Sequence, residues 1–305
     1  MKAVPLVSVV VPAYNAERTL KASVDSVLAQ DFRDFEIIVV NDGSSDSTKA
    51  ILAAYDSQIH VIDQNNRGAP AARNAGVSAA SGKFVAFLDS DDLWSPDKLT
   101  QSVRALEANP TASLVFSDCC GLRADGTSST FYSYNGAPSL KEMLDNGFEI
   151  VPSAVTMRRD VFEACGGFSD RFAPIYFEDL WLWFLARELG EFEYIPKELT
   201  TIRLRDKRLN DSYFVNGRTY TEFLRQRYGQ RARGAIRQAY THLAGVSVHE
   251  ALRRMDAGDR WGALSWWIYA IRLRPALIAE WGGRAFRPRN LRRLVRTVNP
   301  SSKVS

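Results

Sequence analysis

Over the first hundred residues, unbroken apolar runs take turns with stretches whose apolar positions recur every three to four residues. Leu6 to Val11 is a β-branched run that predicts a strand buried on both faces, with Pro12 ending it. Residues 16–29 then set Leu20, Val24, Val27 and Leu28 at helical spacing. The same alternation repeats twice more and closes on a strand. A strand over Phe35–Val40 precedes a helix that Ser45 or Asp46 caps and that runs to Tyr55; a strand over Ile59–Ile62 precedes an alanine-rich helix over 69–80; and the apolar run from Phe84 closes the series. Such a βαβαβαβ order predicts a parallel sheet with right-handed crossovers.

The pattern changes after Asp97. A helix to Asn109 and a strand over Ala112–Phe116 are followed by a polar, aromatic and glycine-rich segment, Cys120 to Ile150, with turn signals at Asp125-Gly126 and Asn135-Gly136. A strand over Val151–Met157, a short helix around Arg159–Ala164 and the turn Gly166-Gly167-Phe168 lead to FEDLWLWFLARELG, whose Trp181, Phe184 and Leu185 share a helical face. From 218 onward the periodicity is helical throughout. Trp261, Leu264, Ile268 and Ile271 make one apolar stripe; Leu291, Leu294, Val295 and Val298 make another, opposite Arg292, Arg293 and Arg296.

Composition adds one division to this picture. With 46% apolar and 24% charged residues among 305, the chain is an ordinary globular one. Its net charge of +4, however, separates into −9 over residues 1–211 and +13 over residues 212–305. The expected domains are therefore 1–211, in two halves that part where the pattern changes (1–110 and 111–211), and a basic helical region, 212–305. A basic surface of that kind faces an anionic partner or complements the acidic part. Cys119, Cys120 and Cys165 have neither metal-ligand nor disulfide spacing, and His60, His242 and His249 fall in no ligand pattern. With no signal-peptide pattern before Val7 and no apolar run long enough to span a bilayer, the expectation is a cytoplasmic protein.

Candidate chemistry gathers where strands end. Tyr14 follows the first strand, Asp42 the second, and Asp89, Ser90, Asp91 and Asp92 the fourth. In a parallel sheet these ends share one edge, the place where open α/β sheets bind ligands. Two like charges about 4 Å apart repel by roughly 4 kcal/mol at an effective dielectric near 20. Three carboxylates in four residues therefore call for a cation, and magnesium or manganese, held partly by substrate phosphates, suits oxygen ligands. Taken alone, the turn also fits a helix cap. Neither G-x-G-x-x-G nor G-x-x-x-x-G-K-S/T is present, which disfavours NAD binding and ATP hydrolysis.

Four segments in order, VSVVVPAYNAERTL, EIIVVNDGSSDST, NNRGAPAARNAGVSAASGKFVAFLDSDD and GGFSDRF with FEDLWLWFLAR, resemble the family-2 inverting glycosyltransferases over roughly residues 6–212. The resemblance implies a GT-A fold: α/β, Rossmann-like, with a mostly parallel central sheet flanked by helices, here with a C-terminal helical appendage. It implies that Pro12, Ala13, Tyr14 and Glu17 pack on the nucleotide, that Asp42 accepts from a uracil imide, and that Arg73 lies near the nucleotide or buttresses the acidic turn. Asp89 with Ser90 would meet the ribose or sugar, and Asp91, with Asp89, the metal. Asp92 is expected to cap the next helix. Asp179 matches the general base, with Glu178 and Trp181 as acceptor contacts. Where many members carry a histidine ligand, this chain has Arg203 and Arg205, which cannot ligate a cation and would instead meet the leaving diphosphate.

The expected reaction moves a sugar from a nucleotide donor, a UDP-sugar above all, to a hydroxyl of a glycan or lipid-linked acceptor in cell-surface polysaccharide synthesis. A sugar-phosphate nucleotidyltransferase would need a glycine-rich basic loop after the first strand, which PAYNAER is not. A non-catalytic glycan- or membrane-binding relative would not need both Asp91 and Asp179. The basic tail, over 259–298, is expected to pack on the catalytic domain or to meet an anionic membrane at the inner face, with Trp266, Trp267 or Trp281 at the interface. Nucleic acid is not an expected partner, because no binding module accompanies the charge.

Overall fold

The computed structural model describes residues 4–172, 177–204 and 211–273. It divides into two compact units, Met1–Lys141 with Phe148–Lys207, and Glu142–Gly147 with Arg208–Ser305.

In the first unit the opening strands and helices fall where the periodicity put them: β1 (Val7–Ala13), α1 (Leu20–Leu28), β2 (Phe35–Asp42), α2 (Thr48–Ala53), β3 (His60–Gln64), α3 (Ala69–Ser78) and β4 (Phe84–Phe87). β1 runs through Pro12 rather than stopping at it. The carbonyl of Val10 accepts from Leu88 N on the β4 side, so the nitrogen of Pro12, two residues on, faces the same side beyond the β4 ladder, which ends at Phe87. No hydrogen bond is lost there, and the ring is tolerated.

Next come β5 (Leu93–Trp94), α4 (Lys98–Ala108), β6 (Ala112–Leu122), β7 (Ser128–Tyr132), α5 (Leu140–Asn146), β8 (Thr156–Arg158), α6 (Arg159–Ala164), α7 (Glu178–Leu189) and β9 (Glu191–Arg203). The sheet order is β3-β2-β1-β4-β8-β6-β9-β5, with β7 paired to β6. β1 to β4 are parallel, but β8 enters antiparallel between β4 and β6, β5 is antiparallel to β9, and β6 and β9 run parallel. The sheet is thus mixed. β8 is short because the expected strand begins as a 3-10 turn, Pro152–Ala154, and Arg158 fastens its end: Nη2 donates to Leu106 O and Nε to Ala112 O, both at 2.7 Å.

The core is the apolar interior of β1, β2 and β4 with the helices against it. Val9, Val11, Ile37, Val39, Phe84 and Ala86 are buried together with Leu20, Val24, Leu99 and Val103. α3 approaches closely: a Cβ on Gly76 would stand 2.3 Å from Val10 Cγ1, so only glycine fits there.

The second unit is helical in its described residues: α8 (Asp211–Tyr228), α9 (Arg233–Asp256) and α10 (Arg260–Leu273). Phe223, Leu224, Leu243, Val248 and the small Ala263 and Ala270 face its interior. The stripe predicted on α10 points outward, with Trp261 83%, Leu264 48% and Ile268 44% exposed. The second stripe, Leu291 to Val298, lies outside the described residues, as does Trp281. No helix among the described residues is long and apolar enough to cross a membrane.

Candidate active site at the carboxyl edge of the sheet

The loops that leave β1 and β2 are zipped to each other. Asn15, at φ 48°, donates its N–H to Ser44 Oγ (3.0 Å) and accepts from Ser45 N at Oδ1 (2.9 Å). Glu17 N donates to Asp46 Oδ2, and the Glu17 carboxylate accepts from Ser47 N, each at 3.1 Å. Pro12 and Ala13 end the strand beneath, and the Tyr14 ring is exposed above. Asp42, at the end of β2, is buried and fully engaged: Oδ1 accepts from Gln64 Nε2 (2.7 Å) and Arg67 N (2.9 Å), and Oδ2 from Gly68 N (2.8 Å). It thereby fixes the turn into α3. Gly68, at φ 87°, makes that turn with a backbone conformation natural to glycine.

α3 carries the residue that joins the site. Arg73, 3% exposed, donates Nη2 to Asp89 Oδ1 (2.6 Å) and Nη1 to Glu178 Oε1 (3.0 Å), with its guanidinium carbon 5.2 Å from the Phe168 ring centre. Two carboxylates hold it firmly protonated despite its burial. The next residue, Asn74, clamps the Phe168 backbone from both sides, donating Nδ2 to Phe168 O (2.7 Å) and accepting from Phe168 N (2.9 Å). The Ala-Arg-Asn segment and the Gly-Gly-Phe turn, 94 residues apart, are one packing unit.

After β4 the chain turns through Asp89, Ser90, Asp91 and Asp92, closed by Asp92 N donating to Asp89 O (3.0 Å). Carboxylate oxygens of Asp89, Asp91 and Asp92 lie within 4.8 Å of one another. Asp92 does not cap a helix. α4 begins only at Lys98, and the buried Asp92 carboxylate accepts from Ser153 Oγ (2.6 Å) and from Arg203 N (3.1 Å). Burial first, then the neighbouring Asp89 and Asp91, push its carboxyl up to about 8. Ser153 Oγ also accepts from Asp89 N (3.0 Å), and Ser153 O accepts from Trp94 Nε1 (2.8 Å) and Thr200 Oγ1 (3.1 Å). Below it Lys98 is wholly buried, donating to Ala154 O (3.0 Å) and Ser102 Oγ (3.1 Å), its amine lowered to about 7 by burial.

Across Arg73 stands the start of α7. Phe177, at φ 70°, turns the chain into the helix, and Glu178 and Asp179 occupy its first turn. Glu178, expected as an acceptor contact, is instead 3% exposed and turned onto Arg73. Its carboxyl is raised by burial, which the Arg73 charge opposes. Asp179 accepts Leu180 N at Oδ1 (2.8 Å), and burial followed by the Glu178 charge pushes it up to about 8. Trp181 packs its ring 5.4 Å from Phe172, with Arg171 over it.

Two residues absent from the sequence reading border Asp179. The Glu149 carboxylate adds to the upward push on Asp179, and the Tyr132 phenol, raised by burial with Glu149 and Asp179 nearby, lies 3.5 Å from Glu149 Oε2. Ser153 was missed as well. None of the three has a spacing signal: Tyr132 comes to the edge through the β6–β7 hairpin, and Glu149 and Ser153 come with the segment that leads into β8. Arg203 ends β9 beside Asp92, and its buried Nε has no hydrogen-bond partner among the described residues. Arg205 lies outside them.

The mixed sheet, its flanking helices and an acidic turn at the end of a central strand define the GT-A architecture. The glycosyl transferase family 2 profile matches residues 8–166, over half of the chain, and the chain belongs to that family. It is 43% identical over 106 residues to the Escherichia coli UDP-Glc:alpha-D-GlcNAc-diphosphoundecaprenol beta-1,3-glucosyltransferase WfgD, covering 34% of this chain and 42% of the relative. It is 47% identical over 103 residues to the putative teichuronic acid biosynthesis glycosyltransferase TuaG of Bacillus subtilis, covering 32% and 41%. These matches span about two fifths of each relative's length. Among solved structures, S. aureus TarS 1–349 in complex with UDP-GlcNAc superposes with a TM-score of 0.65 at 19% identity, covering 97% of this chain and 90% of that one. At that identity the likeness speaks for the fold.

Proposed function

We propose that the protein is an inverting, metal-dependent glycosyltransferase that moves a sugar from a UDP-sugar to a hydroxyl of a glycan or lipid-linked acceptor in cell-surface polysaccharide synthesis. One observation carries the reading. The buried Arg73 ties the acidic turn at Asp89 to the helix that presents Asp179, so a donor site and a base are held in fixed relation. The UDP-sugar and the lipid-linked acceptor are supported by the substrate named for WfgD and by the UDP-GlcNAc held by TarS.

The residues fit a hard divalent cation. Carboxylate oxygens of Asp89, Asp91 and Asp92 lie within 4.8 Å of one another; Asp92 commits its oxygens to Ser153 and Arg203, and Asp91 with Asp89 are the carboxylates that would hold the ion. When bound, magnesium or manganese there would offset the charge of a departing nucleoside diphosphate. The orphaned Nε of Arg203 is a donor for the same anionic group, and Arg205 follows two residues on in sequence. Pro12, Ala13, Tyr14 and Glu17 border the nucleotide, Asp42 holds its loop, and Ser90 lies between the sugar-facing acids. At the other side Asp179 Oδ1 is occupied by Leu180 N–H, so Oδ2 takes the proton of the acceptor hydroxyl. A carboxylate raised toward 8 is a stronger base than an ordinary aspartate. Attack from the face opposite the leaving group inverts the anomeric carbon. Trp181, Tyr132 and Glu149 border that face. The basic helical region, through the exposed face of α10, is the surface that meets an anionic membrane at the cytoplasmic side.

The test has two parts. A panel of nucleotide sugars is screened for thermal stabilisation with and without manganese, and a UDP-sugar is expected to stabilise most when manganese is present. Asp179→Asn is then expected to lower transfer by about 10²- to 10⁴-fold while donor binding is kept. Transfer at the wild-type rate removes Asp179 from the base role, and a panel without any stabilising sugar removes the donor reading.

A further inference from the structure

The helical unit carries an open pocket on its surface that the catalytic reading does not use. It measures about 470 Å³, lies at the corner between α8 and α9, and is lined by Arg225, Gly229, Gln230, Arg233, Ile236 and Arg237. The three arginines are exposed. Arg225, in the last turn of α8, donates Nη1 to Glu222 Oε2 (2.5 Å). Arg233 and Arg237, and Arg231 just before them, pair with no carboxylate among the described residues.

This arrangement is costly when empty. Arg233 and Arg237 stand one turn apart on the same face of α9, where like charges repel. They also sit at the positive end of a 24-residue helix whose first turn holds no acid, the end at which cations are least welcome. The other side of the helix start is covered, since a Cβ on Gly234 would stand 1.6 Å from Asp145 O. The arginine side is open: nothing lies within 4 Å of a Cβ built on Gly229.

We propose that this pocket binds a phosphate or diphosphate ester, held by Arg233 and Arg237 with Arg225 and Gln230 at its rim. Planar guanidinium forks match phosphate oxygens two at a time, and several of them converging suit a multiply charged group better than a single carboxylate. The pocket is open to solvent and wider than one inorganic phosphate, which leaves room for the ester's organic part along Ile236 and the arginine stems. The same chemistry is offered by a dissolved phosphate ester and by the headgroup of an anionic phospholipid.

The full chain, with EDTA present so that the acidic turn takes no metal-borne phosphate, is compared with Arg233→Gln/Arg237→Gln. Both side chains are exposed and their charges repel, so the variant is expected to fold, with a melting temperature at or above that of the parent. Inorganic pyrophosphate is titrated calorimetrically at low salt, and sedimentation is measured with phosphatidylglycerol and phosphatidylcholine vesicles. Pyrophosphate affinity that falls at least about tenfold in the variant supports a soluble ester. Loss of phosphatidylglycerol binding alone assigns the pocket to a lipid headgroup. Equal behaviour of the two proteins toward both probes, or no binding of either probe by the parent, overturns the proposal.

Discussion

Glu178 and Asp179 are neighbours of the same chemistry with different surroundings. The first is pulled onto Arg73, while the second makes no ion pair among the described residues and is raised by burial and by Glu178, with Arg73 opposing. A base that titrates near 8 works better as pH rises, so transfer is expected to climb up to about pH 8 in a pH–rate profile. Glu178→Gln removes the neighbouring charge and is expected to move that limb to lower pH; an unmoved limb would show that Glu178 does not act on the base. Stability carries the opposite sign. A carboxyl whose folded pKa lies above its unfolded one binds more protons when folded, so its contribution is full below about pH 4 and is lost as pH rises through about 8. Asp179→Asn escapes this loss, and its advantage in melting temperature should be larger at pH 8.5 than at pH 5.

At the scale of elements, α3 is the part to perturb, because it carries both Arg73 and Asn74 and rests on β1 through Gly76. Gly76→Ala forces a methyl to within 2.3 Å of Val10 Cγ1 and is expected to cost about 1–3 kcal/mol in urea unfolding, despite alanine's better helix propensity. Activity should fall along with stability, since the helix can only move outward and take Arg73 with it. The sequence made α3 and its strands legible because each buries a whole face and so shows its period. β9 was hidden: its apolar residues lie among Glu191, Glu193, Lys197 and Glu198, with Pro196 inside. Pro196 sits where the β6–β9 register jumps from Ser117 opposite Ile195 to Asp118 opposite Glu198. The antiparallel entry of β8 was equally illegible, since periodicity carries no strand order. In the site, the acids could be found by their crowding and their motifs. Their partners could not: Ser153 is an ordinary serine 61 residues from Asp92, and nothing in its neighbours shows that it bonds two acids of the turn.

Over the whole sequence the charge divides, −9 over residues 1–211 and +13 over residues 212–305, and the described helices of the second unit leave Trp261, Leu264 and Ile268 in solvent along one side of α10. That side is expected to account for vesicle binding that persists at high salt, because apolar insertion is not screened as charge is. Replacing the three residues by serine should abolish the salt-resistant part of sedimentation with anionic vesicles. Unchanged sedimentation would remove α10 from the membrane reading. The shared guanidinium of Arg73 sets a rule for recombining such enzymes. A chimera joined near residue 110 takes Arg73 and Asp89 from one parent and Glu178 from the other, so it inherits a three-way buried charge assembly from two lineages. Parents that differ at any of the three positions would yield hybrids with an unmatched interior charge. A join near residue 110 is therefore expected to be tolerated only among relatives that agree on this trio, which the melting temperatures of such hybrids would check.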